Sequence, residues 1–128
     1  MQRYIQRKEE FSNAYERLKE ALKEEESEIV IDGALHRFEF TFELAWKSLK
    51  DYLEYMGLTE KIGSPREIIQ QAFKQGIIED GEAWINMMLS RNMLSHIYDE
   101  KESRDIFNKI KKEYINLFND LKGKFKNM

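Results

Sequence analysis

The chain contains no cysteine, which removes disulfides, thiolate metal sites and cysteine nucleophiles together. It has one proline and six glycines, so regular structure is forced to stop in few places, and long helices are favoured over many short strands. Apolar runs are short. None approaches the roughly 18 residues that would cross a bilayer, and the opening MQRYIQRKEE shows no apolar core of a secretory leader. No membrane role and a cytoplasmic setting are therefore expected. Histidine is scarce as well: His36 and His96 stand alone, without carboxylates at ligand spacing, so neither a metal site nor a metal cofactor is expected. There is no Gly-rich phosphate loop and no serine in a nucleophile elbow.

What is present fits one domain spanning residues 1–128, long enough for a real core. Charged residues make up 35% of the chain and the net charge is −3, which argues against coating nucleic acid broadly while leaving room for a local site. The charge is uneven. Residues 1–100 carry 13 basic and 20 acidic side chains, whereas residues 101–128 carry 8 and 4. Lys122, Lys124 and Lys126 either touch a phosphate backbone or, the better reading, complement the negative end of a helix.

Apolar spacing predicts five helical segments. The first runs from Phe11 through Ala14, Tyr15 and Leu18 to Leu22, and Glu24, Glu25, Glu26 and Glu28 then mark a solvated connection. The second and longest, about Val30 to Met56, carries Leu35, Phe38, Phe42, Ala45, Trp46, Leu49 and Leu53 on one stripe, with Phe40 and Leu44 opposite. Gly57 closes it. Ser64-Pro65-Arg66-Glu67 opens the third as a capping box with proline at the first helical position. Gly76 ends that helix, Asp80-Gly81 begins the fourth, and Asp99 caps a fifth with Ile106, Phe107, Ile110, Tyr114, Leu117, Phe118 and Leu121 on its stripe. No strand pattern appears. The expected fold is all-α: an antiparallel bundle of about five helices around a four-helix up-and-down core.

The fourth helix is unusual. Arg91 falls in the centre of a stripe made by Trp84, Met87, Met88 and Leu94. The opposite side mixes Ile85, Leu89 and Met93 with Asn92 and His96, so burial on more than one side is expected. A guanidinium keeps its charge when buried and must be paired or face water. Glu39 and Glu43, one turn apart on the long helix, are the candidate partners, and Ser95 is a further polar neighbour. Two readings follow. In one, Arg91, Glu43 and Asn92 form a polar network in the bundle core, and losing Arg91 would cost roughly 3–5 kcal/mol. In the other, Arg91 forks onto a phosphate and His96 moves a proton. On one straight helix Arg91 and His96 stand about 140° apart, so a two-fold axis beside the helix would be needed to bring both types to one cleft. Tyr98 alone reads as packing at a helix end.

Arg91-Asn92, with His96-Ile97-Tyr98 following, resembles the R-x4-H-x-Y signature of HEPN domains. DGALHRFEFTFELAWKSLKDYL, SPREIIQQAFKQGII and RNMLSHIYDE, in that order over about residues 30–100, resemble the blocks of its HepT-like branch. These are nucleotidyltransferase substrate-binding proteins encoded beside minimal nucleotidyltransferases. The resemblance implies a HEPN-like bundle that forms a homodimer with the motif helices at the interface, and a small nucleotidyltransferase on a separate chain as partner. In toxin–antitoxin members of the wider family it implies a metal-independent ribonuclease acting on RNA. Carried over, Arg91 would stabilise phosphate charge, Asn92 would orient, His96 would be general base or acid, and Tyr98 would be adenylylated by the partner. The alternative is a non-catalytic adaptor that binds substrate or nucleotide for the transferase.

Overall fold

The computed structural model describes residues 3–58, 63–96 and 99–127. Helix α1 spans Arg3–Ala21, α2 Glu28–Tyr55, α3 Pro65–Lys74 and α4 Gly81–Met93. A 3-10 turn over Leu94–His96 follows α4. Helix α5 (Glu100–Lys109) passes through a π turn (Ile110–Tyr114) directly into α6 (Ile115–Lys126). Counting that last run as one continuous helix gives, among the described residues, the five helices expected and no strand.

The ends of these helices follow from local chemistry. Ser27, Ser64, Asp80 and Asp99 each accept a backbone N–H three residues on, satisfying a donor that the first turn leaves open. At Ser64 the box closes differently from expectation: Glu67 reaches back to the serine hydroxyl, which donates to its Oε1 at 2.8 Å. Gly57 and Gly76 take φ of 69° and 75°. Each sits just past a helix end, with Leu58 N–H on Leu53 O and Ile77 N–H on Ala72 O. That left-handed closure favours glycine.

Cross-helix bonds establish direction. Thr41 Oγ1 reaches the Ala14 carbonyl and Ser48 Oγ the Arg7 carbonyl, so α1 and α2 run antiparallel. Lys8 Nζ meets Phe125 O, and Tyr15 donates to Asn119, so α1 and α6 do too. Trp84 packs edge-on against Phe118 while Ser90 meets Tyr114, which sets α4 against α5–α6. The result is an up-and-down bundle of α1, α2, α4 and α5–α6, with short α3 packed on α2 and α4. Phe11, Phe38, Phe42, Trp84, Tyr114 and Phe118 fill its centre. No helix among the described residues is long and apolar enough to cross a membrane.

One local expectation changes and two are made definite. Helix α1 begins at Arg3 rather than Phe11, because Tyr4 packs edge-on against Tyr52 and tilted against Tyr55 at the far end of α2 and carries the helix back. Leu44 is buried, in a groove shared with α1 residues, leaving Phe40 as the exposed apolar residue of that pair. The lysines of α6 are largely engaged within the fold. Lys122 pairs with Glu16, and Lys124 sits 3.3 Å from both Glu79 and the Gly76 carbonyl at the end of α3.

Candidate functional site

Arg91 lies on the same face of α4 as the buried Trp84, Met87 and Met88, one turn farther along. There its guanidinium emerges at the rim of the bundle, and Nη2 donates to Glu43 Oε2 at 3.1 Å. The same oxygen accepts from Trp46 Nε1 at 3.1 Å, and Lys47 Nζ lies 3.2 Å from Oε1. Glu43 thus gathers three donors from two helices. Burial works to raise its carboxyl pKa, but the hydrogen bonds from Trp46 and Lys47 and the charges of Lys47 and Arg91 outweigh it and hold the group below its ordinary value.

This is the polar network anticipated between Arg91, Glu43 and Asn92, yet it does not lie in the core. The Arg91 and Glu43 side chains are 34% and 32% exposed. Water therefore reaches the pair, and the cost of breaking it falls well below that of a buried one. Asn92 Oδ1 is a marginal acceptor for Arg91 Nη1 at 3.5 Å. Arg91 Nε is buried and has no hydrogen-bond partner among the described residues.

The other named residues distribute as follows. Asn92, Ser95 and His96 are exposed, and Ser95 Oγ donates to the Asn92 carbonyl at 3.0 Å. Glu39 is half-buried and makes no ion pair among the described residues. Tyr98 lies outside the described residues. Leu89 and Met93 are 43% and 54% exposed, whereas Ile85 packs against the core, so the second apolar side of α4 is left open toward its C-terminal end among the described residues. Helix α4 also ends sooner than its apolar pattern suggests. The α geometry stops at Met93 and tightens into the 3-10 turn that carries His96, which replaces the ideal wheel angle there with about 120° per residue.

Two partners were not read from sequence. Trp46 and Lys47 stand three and four residues after Glu43, the spacing at which helix side chains meet, so they were within reach of such a reading. Tyr114 was placed only as core. Its hydroxyl lies 2.7 Å from Ser90 Oγ and 3.3 Å from the Asn86 carbonyl, tying α4 to the π turn at the residue before Arg91. Among the described residues no cluster of histidines and carboxylates is arranged to hold a metal ion. The chemistry available is that of a forked cation, an amide and an imidazole at one end of one helix.

Comparisons with known proteins place the family and the fold. A Haemophilus influenzae protein described as "Probable ribonuclease HepT" is 32% identical over 84 residues, which make up 63% of this chain and 58% of that relative. The match therefore spans less than two thirds of the relative's length. A crystal structure of a Thermus thermophilus protein has a TM-score of 0.81 at 32% identity, covering 88% of this chain and 96% of that one. A Haemophilus influenzae structure, described as revealing the fold of a substrate binding domain of a nucleotidyltransferase, shares the fold with a TM-score of 0.80. Its identity is 23%, over 93% of this chain and 98% of the other. The model of the family described as nucleotidyltransferase substrate binding protein like matches residues 6–127, and the chain belongs to that family.

Proposed function

We propose that this chain works with a small nucleotidyltransferase on a separate polypeptide and is itself a metal-independent ribonuclease of a toxin–antitoxin pair. Its cleft forms where two copies meet along α4. The observation that carries the reading is the uncovered side of α4, where Asn92 and His96 stand among exposed Leu89 and Met93. The name of the Haemophilus influenzae relative supports it. In the proposed reaction the ribose 2′-oxygen attacks the adjacent phosphorus and the bond from phosphorus to the 5′-oxygen breaks. His96 takes the proton from the 2′-hydroxyl, or gives one to the departing oxygen. Arg91, steadied by Glu43 through Nη2, offers the remaining N–H groups of its two terminal nitrogens to the phosphate oxygens while Nε stays buried, and Asn92 orients the chain. Tyr98 is the residue the partner adenylylates to silence the activity.

The Arg91–Glu43 pair also favours a second reading, an adaptor that presents substrate or nucleotide to the transferase, because a guanidinium already engaged needs no catalytic role. Cleavage of a mixed RNA in chelator by wild type and His96→Ala separates the two, with intact mass recorded so that modified Tyr98 does not pass for inactivity. Cleavage by wild type alone establishes the ribonuclease. No cleavage by protein of unmodified mass leaves the adaptor.

A further inference from the structure

The side of the bundle where α1 meets α2 carries chemistry that α4 does not use. Phe40 projects there with 58% of its surface exposed, and among the described residues no aromatic ring or cation stacks on it. It stands in a groove of about 430 Å³ lined by Ala14, Arg17, Gly33, His36 and Arg37. Arg17, His36 and Arg37 are exposed, and none forms an ion pair among the described residues. Two guanidinium groups without an acidic partner among the described residues, beside an imidazole, are notable in a chain whose first 100 residues are strongly acidic overall. The groove continues past Phe40 to Asn13, Glu10 and Glu16, where Glu16 is already neutralised by Lys122.

The groove is firm and open. Thr41, fully buried beneath it, reaches the Arg37 carbonyl at 2.7 Å and the Ala14 carbonyl at 3.3 Å, holding the two helices together. Gly33 lies inside α2, where glycine weakens a helix, yet a Cβ added there would meet nothing within 4 Å. The chain's own packing does not call for that glycine. A flat ring face beside uncompensated guanidinium groups suits a strand whose bases are unpaired and whose phosphates are close by.

We propose that the α1–α2 groove is a binding site for single-stranded RNA, with a base stacked on Phe40 and the flanking phosphates on Arg17, His36 and Arg37. As a substrate-binding site it rests on the ribonuclease reading, but its test does not require cleavage. Anisotropy of a labelled 2′-O-methyl oligoribonucleotide, which the proposed reaction cannot cut, would be followed across salt concentrations with wild type, Phe40→Ala, Arg17→Ala and Arg37→Ala. Phe40→Ala should weaken binding about tenfold with the salt slope unchanged. Each arginine variant should lower the slope by about 0.7. Asn108→Ala, exposed on α5 outside both the groove and the motif end of α4, should bind as wild type does, and because the oligoribonucleotide cannot be cut, binding is read separately from cleavage. Wild-type affinity in all three groove variants, or no binding by wild type, overturns the proposal even where RNA is cleaved. Sedimentation of the same samples covers the other occupant: if Phe40→Ala converts a larger species to a monomer, the groove is a contact between copies and the RNA site is wrong.

Discussion

Glu43 is the residue on which the motif end of α4 rests, since Trp46, Lys47 and Arg91 all converge on its carboxylate. Because a third of each partner's side chain is exposed, Arg91→Ala should cost about 1 kcal/mol or less in urea unfolding. A loss of roughly 3–5 kcal/mol would mean that the pair is buried in solution, by a second copy or otherwise. The pH dependence has a definite sign. With the folded carboxyl held below the ordinary value of 4.5, the folded state binds its proton less readily than the unfolded chain. The stabilisation is fully present above the ordinary value and is lost as pH falls through the lowered one. The indole N–H of Trp46 reports this directly, and only two tryptophans are present. Its NMR signal should stay put from neutral pH down to the ordinary carboxyl range and move below it. A signal that shifts around neutrality would assign the change to another group.

At the level of elements, the π turn between α5 and α6 aims Tyr114 across to Ser90, where both side chains are buried. Tyr114→Phe keeps the ring stacked on Phe38 and removes only the hydroxyl. It should cost about 1–2 kcal/mol, because Ser90 Oγ loses its partner away from water. Ser90→Ala combined with it should add little, since both changes break one bond. Gly33→Ala should act in the opposite direction, raising stability by about 0.5–1 kcal/mol through helix propensity. Helix ends were legible in the sequence because serine, aspartate and glycine act through neighbours a few residues away. The π turn was not, since Ile110, Tyr114 and Phe118 keep the same apolar spacing whether the backbone turns in α or π form. The start of α1 was hidden for the converse reason: Tyr4 gains its partners from Tyr52 and Tyr55, contacts that exist only once α2 has folded back. Arg91 and Glu43 were legible as a pair because an arginine in an apolar stripe demands an acid. Their place at the rim depends on where the helices end against one another, which no local pattern encodes.

On the scale of the whole molecule, one side of the bundle is closed and another is not. The core is filled by aromatic side chains from α1, α2, α4 and α6, whereas Leu89 and Met93 of α4 remain outside it. On the reading proposed above, a second copy of the chain covers these residues beside Asn92 and His96, and each copy brings one arginine and one histidine to a shared cleft. Wild type should therefore sediment as a dimer at tens of micromolar. Met93→Glu, which would place like charges face to face across the axis, should give a folded monomer with unchanged helical circular dichroism. If the cleft is composite, that monomer should also lose RNA cleavage although Arg91, Asn92 and His96 are all present in it. Retained cleavage by a verified monomer would place the reaction within one chain and remove the need for the axis. A wild type that is itself monomeric would remove the composite cleft at once, leaving the exposed side of α4 for the transferase.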